Sequence, residues 1–213
     1  MEIHELLKFT LSLFAIVDPV GIIPVFLAST DGFSIAQRRA AAWVSALTVF
    51  SVLVLFAFGG TLLLDFFGVR LASFSVGGGF ILLMLAVAMA QARVSPIRQT
   101  PEEAQEAMEK EAVGAVPLGV PLLAGPGAIT HVIVSSSGSG SEQWLRHLSL
   151  VPSIFLIAFS VWLFFRLSPA IARRLGTTGI HIVTRLMGLI IAGIAVEMIA
   201  NGFVQLFPGL LGK

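Results

Sequence analysis

Cysteine is absent from the 213 residues, and charge is scarce: Asp, Glu, Lys and Arg together make up 12% of the chain. Without cysteine there is no disulfide framework, no thiolate metal site and no thiol redox chemistry. Soluble domains carry about 25% charged residues, and half that supply cannot coat a globule of this size. A net charge of +1 leaves no basic face for nucleic acid. HExxH, GxSxG and paired Asp residues on neighbouring apolar segments are also missing, so no enzyme is expected. Neither a metal site nor a cofactor is expected. The 56% hydrophobic content excludes disorder and points to an integral membrane protein whose first partner is the lipid bilayer.

A helix needs about 20 apolar residues to cross about 30 Å of hydrocarbon. Six such spans are predicted, over 6–29, 41–64, 71–92, 113–136, 148–166 and 183–206. The runs are continuous and lack the alternation of barrel strands. The first is read as a span and not as a signal peptide, because no basic segment leads it and no small-x-small site closes it. Thr100-Pro101-Glu102-Glu103 has the form of a capping box and predicts a short polar helix to Lys110. The SSSGSGS run at 135–141 reads as a flexible connector. With the N-terminus outside, nine of the 13 basic residues fall in inner loops. The positive-inside rule then puts both termini outside.

Spans three and six share a pattern. Gly79, Ile81, Ala86, Val87 and Met89 recur as Gly188, Ile190, Ala195, Val196 and Met198, at an offset of 109. In spans one and four, Pro19 and Ile22 recur as Pro126 and Ile129, at an offset of 107. A repeat of three spans is odd in number, so its second copy must enter the membrane from the opposite side. The expectation is an all-α polytopic membrane protein of two inverted three-helix repeats, 1–92 and 113–213, joined by a cytoplasmic linker at 93–112. Inverted repeats are typical of secondary transporters.

Spans one and four are each interrupted. Asp18-Pro19-Val20-Gly21-Ile22-Ile23-Pro24 lies inside the first; Pro117, Pro121 and Gly125-Pro126-Gly127-Ala128-Ile129-Thr130 lie inside the fourth. Proline lacks the N–H that a helix interior uses, and broken backbone at membrane depth must be buried in protein or line a wet cavity. Each break is expected to restart a helix, with Asp18 or Gly125 as N-cap and Pro19 or Pro126 first in the helix. Restarted helix ends offer N–H groups to an anion, and glycines leave room beside them. The expected ligand of such a chamber is a small zwitterion.

Asp18 is costly in a bilayer, by about 2.5–3.5 kcal/mol. It could hold an ammonium group, bind a cation, accept a proton, or only cap the segment after it. Glu197 in span six and His131 after the second break are the other coupling candidates, against simpler roles at an interface and in packing. Trp43, Trp144 and Trp162 fit interfacial belts.

Asp18 to Leu27 (DPVGIIPVFL) and Pro121 to Thr130 (PLLAGPGAIT) resemble the two hallmark segments of the MarC family of bacterial and archaeal inner-membrane proteins. The Ala-Val-Glu-Met run ending at Met198 is similar too. The family is grouped with LysE-type exporters, and the resemblance implies transport of small neutral amino acids such as glycine or alanine. It carries Asp18, Pro19, Gly21, Pro24, Gly125, Pro126, Gly127 and Thr130 over as substrate-binding positions, and a multi-pass inner-membrane protein with periplasmic termini. An efflux protein for drugs or other metabolites, a passive channel and a homo-oligomer stay open as alternatives.

Overall fold

Apolar runs punctuated by glycine and proline fold into six helices among the described residues of the computed structural model, which are 3–30, 32–91, 123–137 and 143–208. They are α1 (Ile3–Val17), α2 (Ile23–Ser29), α3 (Ile35–Phe66), α4 (Leu71–Ala90), α5 (Pro126–Ser136) and α6 (Gln143–Leu206). No strand occurs among the described residues. The predicted linker at 93–112 with its polar helix, the start of the fourth span with Pro117 and Pro121, and most of the SSSGSGS run lie outside them.

The caps explain the length of α3. Ser34 Oγ accepts the Gln37 N–H at 3.3 Å, and Gln37 Oε1 accepts the Ser34 N–H at 2.9 Å, a reciprocal capping box. At the far end Gly68 takes φ 65°, and the Gly68 and Val69 N–H groups donate to the Asp65 and Leu64 carbonyls. That is a Schellman ending, which a residue without Cβ adopts freely.

Spans five and six were expected to be separated by a connector from 167 to 182. Instead α6 runs helical through both, and only Gly176 (φ 63°, ψ 178°) leaves helical geometry. The connector contains good helix formers, so a single glycine suffices to turn the chain. We refer to 143–175 and 177–206 as the N-terminal and C-terminal arms of α6.

α3, α4 and the Arg146–Leu206 part of α6 are long and apolar enough to cross a membrane. α1, α2 and α5 are individually shorter because the breaks cut them. Many large apolar side chains point outward, among them Leu11, Leu62, Phe66, Phe80 and Leu189, a surface suited to lipid and not to water.

Three helix pairs organise the interior. α4 and the C-terminal arm run antiparallel: Gly79 meets Ala195 and Ile199, Gly188 meets Ala86, Met89 and Ala90, and Gly202 meets Ala72 and Val76. Ser75 Oγ also donates to the Met198 carbonyl at 3.1 Å. α3 and the N-terminal arm run antiparallel, with Phe50 edge-on to Phe155 and Phe58 edge-on to His147. α1 and α5 do the same, with Phe9 stacked on His131 and Ile16 against Gly127.

Candidate functional site

The first break is built by Asp18. Its backbone takes φ 46°, a left-handed conformation that Asp tolerates better than most residues. The Asp18 N–H still closes the last turn of α1 onto the Phe14 carbonyl at 2.9 Å. Its buried carboxylate reaches forward along the chain, and Oδ1 accepts the Gly21 N–H at 3.1 Å. One further turn follows, in which the Ile23 N–H donates to the Val20 carbonyl at 3.1 Å, and α2 starts at Ile23 with Pro24 in its first turn. The expectation that Asp18 caps a helix beginning at Pro19 is corrected here. Asp18 makes the hydrogen bond of a cap, but to a single turn. Proline fits a helix without loss only in the first turn, so Pro24 sets the true start.

The second break follows expectation. Gly125 is an extended N-cap (φ −69°, ψ 175°), Pro126 opens α5, and no side chain caps the helix. The Ile129 N–H donates to the Gly125 carbonyl at 3.1 Å. Thr130 Oγ1 donates to the Pro126 carbonyl at 2.8 Å. By helix geometry the Gly127 and Ala128 N–H groups have no acceptor within α5.

Because α1 and α5 run antiparallel and Ile16 touches Gly127, the carboxyl end of α1 and the amino end of α5 finish at the same level. A buried carboxylate therefore sits on the helix that ends beside one that offers N–H groups and a positive dipole. The glycines are not vacant, contrary to expectation. A Cβ on Gly21 would collide with the Asp18 carboxylate and lie 2.7 Å from Thr184 Oγ1. On Gly127 it would meet Leu82 of α4, whose Cγ is 3.1 Å away, and on Gly78 it would meet Thr130. These glycines serve close packing of the broken segments onto α4 and the C-terminal arm.

The model of the MarC family of integral membrane proteins matches residues 3–207. The chain belongs to the MarC family. Its relatives include the UPF0056 membrane protein YhcE of Escherichia coli K12, 37% identical over 96% of this chain and 94% of that one. YvbG of Bacillus subtilis is 35% identical over 94% of each chain. MJ1677 of Methanocaldococcus jannaschii is 31% identical over 95% of this chain and 97% of that one. No solved structure matches.

In this MarC protein the structure brings Asp18, Pro19 and Gly21 together in one turn, while Pro24 and Pro126 are exposed and Gly127 and Thr130 are buried against α4. The coupling candidates do not gather. His131 lies flat on Phe9, 5.5 Å between ring centroids, with Nε2 buried and lacking a hydrogen-bond partner. Glu197 is exposed on the outer face of the C-terminal arm, about 20 Å along it from Thr184 at 1.5 Å per residue. Sequence reasoning missed Thr184, which reaches the first break. The signal was present: at the offset of 109, Thr184 is the counterpart of Ser75, hydroxyl for hydroxyl. It also missed Arg38, whose Nε and Nη2 donate to the Thr30 hydroxyl (3.2 Å) and carbonyl (3.0 Å) and fix the end of α2.

Proposed function

We propose that this MarC protein is a secondary transporter in which two inverted three-helix repeats, 1–92 and 113–213 around a linker at 93–112, move a small zwitterion by alternating access. One observation carries the reading: each predicted span packs antiparallel against its own counterpart, one with four, two with five and three with six. For spans three and six the packing is reciprocal, Gly79 against Ala195 and Gly188 against Ala86, as a two-fold relation requires. Exposure follows the same rule. Five of the six exposed positions of α4, Ser73, Gly77, Phe80, Met84 and Val87, become Ile182, Leu186, Leu189, Gly193 and Val196 at the offset of 109, all exposed; the sixth, Ala90, becomes the half-buried Ile199.

Broken helices meeting at such an axis are where transporters of this design bind substrate. In our reading the Gly127 and Ala128 N–H groups receive the substrate carboxylate, and Asp18 faces its ammonium. Pro19, Gly21, Pro24, Gly125, Pro126 and Thr130 shape the backbone around it. The tight packing at Gly21 and Gly127 corresponds to a closed state and favours glycine- or alanine-sized cargo. Asp18 is the leading coupling group for a proton or sodium gradient, with His131 and Glu197 behind it. The protein sits in the inner membrane with both termini periplasmic, and it performs no covalent chemistry.

Purified protein in liposomes should accumulate labelled glycine or alanine, saturate, and exchange external for internal substrate, with a rate set by an imposed pH or sodium gradient. Flux that neither saturates nor exchanges would replace the carrier with a channel. Preference for large apolar compounds would replace it with an efflux protein.

A further inference from the structure

Away from the breaks, a groove runs between α3 and the N-terminal arm of α6. Its mouth is a cavity of about 190 Å³ lined by Arg38, Arg39 and Arg166 together with Phe165 and Pro169. Its deeper part is a cavity of about 380 Å³ walled by Trp43, Leu47, Phe50, Phe155, Phe159 and Trp162. The two parts continue one another. Arg39, Trp43, Leu47 and Phe50 follow one face of α3 at helical spacing, as Arg166, Trp162, Phe159 and Phe155 follow one face of the arm. Arg166 lies over the Trp162 ring at 5.2 Å, at the junction of the charged and apolar parts.

The dimensions and charge suit one class of occupant. From Arg39 to Phe50 the helix rises about 16 Å, close to the ~15 Å of hydrocarbon in one leaflet of a ~30 Å core. Among the described residues, no acidic side chain lines either cavity. Arg38 is partly spent on Thr30, which leaves Arg39 and Arg166 to face the membrane surface. A second copy presenting the same mouth would set arginines against arginines. A molecule with a phosphodiester above and a hydrocarbon chain below satisfies both halves, and basic pockets between transmembrane helices bind such lipids.

We infer that this groove binds one anionic phospholipid, its phosphate held by Arg39 and Arg166 and an acyl chain lying between Trp43 and Trp162. The site is independent of the transport reading. It predicts a lipid preference on one flank of the protein.

The two tryptophans report on it directly. With Trp144→Phe as background, the remaining emission comes from Trp43 and Trp162. In phosphatidylcholine nanodiscs titrated with bromine-labelled lipid, half-maximal quenching should need about tenfold less phosphatidylglycerol than phosphatidylcholine. The preference should shrink towards unity as salt rises. It should also be lost in Arg39→Gln/Arg166→Gln. Equal midpoints for the two lipids in the arginine-intact protein overturn the proposal, and so does a preference that survives both the double substitution and high salt. The salt titration needs no substitution, so a double variant that fails to fold leaves the proposal open to refutation. Quenching that falls as protein density per disc rises assigns the groove to a second copy and also overturns it.

Discussion

The two breaks solve one problem in different ways. At the first, a carboxylate on the same chain satisfies the backbone: Asp18 Oδ1 takes the Gly21 N–H, and four residues pass before α2 begins. At the second, Gly125 and Pro126 restart a helix at once, with no side-chain hydrogen bond capping it. The first break carries its own anion, whereas the second offers N–H groups to one from outside. If the two halves are the inverted repeats proposed above, the two breaks have diverged in backbone as well as in side chains (Asp18 at φ 46°, Gly125 at φ −69°). Under the proposed function, a zwitterion would need one site for each of its charges, and this asymmetry would supply them.

The sharpest way to break that comparison is to give the second break what the first already has. Gly125→Asp places a carboxylate at an extended N-cap that any residue can adopt (φ −69°, ψ 175°). An aspartate there is a good cap, better than glycine by only a few tenths of a kcal/mol, against a cost of about 2.5–3.5 kcal/mol for a carboxylate at membrane depth. The unfolding midpoint in detergent should therefore fall by several degrees while the protein stays folded. Transport should fall below detection, because the substrate carboxylate would meet a like charge on its own binding groups. Undiminished glycine uptake by this variant would remove the second break from the site.

The next effect is at Asp18 itself. Asp18→Ala removes the acceptor of the half-buried Gly21 N–H, a loss of about 1 kcal/mol. It also puts a residue ill-suited to φ 46° at that position, at about 1–2 kcal/mol. For a chain of this length each kcal/mol lowers the unfolding midpoint by about 2–4 °C. Asp18→Asn keeps the acceptor and the tolerance for left-handed backbone, so it should stay within a few degrees of the unchanged protein while losing most of its transport. If the two variants unfold together, the carboxylate's local hydrogen bond is not what holds the turn.

The difference between the breaks was only partly legible in the sequence. Gly125-Pro126 could be read directly, since an N-cap followed by proline is a purely local signal. Asp18-Pro19 carries the same local signal, and there it misled. Pro24, five residues on, excludes a helix running through both prolines, and the left-handed Asp18 follows from that longer-range conflict. The membrane class and the positions of the breaks followed from hydropathy and from the Gly/Pro clusters; the packing of each span on its counterpart came only with the structure. The crowding around Gly21 and Gly127 did not. Which side chain fills the space left by a missing Cβ depends on helix rotation, and apolar runs with no strong polar face leave that rotation unspecified. Gly176 was missed because a helix can approach a left-handed glycine from both sides and leave no polar loop behind.

A smaller test concerns how each break is wedged. Gly127→Ala drives a methyl group into Leu82, whose side chain can shift, so the expected loss is about 1–3 kcal/mol. In Gly21→Ala the added atom meets the Asp18 carboxylate, which cannot move without giving up its hydrogen bond. That loss should therefore be the larger of the two. Thermal unfolding of both variants in the same detergent gives the order directly, and the reverse order would mean that the Asp18 side chain is free to turn.

The smallest effect is expected at Thr130. Its hydroxyl donates back to the Pro126 carbonyl at 2.8 Å, one turn inside α5, while its Cβ and Cγ2 pack over Gly78. Thr130→Val keeps the shape and deletes one hydrogen bond, worth about 0.5–1.5 kcal/mol, so the unfolding midpoint should drop by only a few degrees. Thr130→Ala removes the Cγ2 methyl over Gly78 as well and should cost more. If valine is as damaging as alanine, the hydroxyl matters more than the packing. The second break would then depend on a side-chain hydrogen bond much as the first does, and the contrast between them would narrow to charge alone.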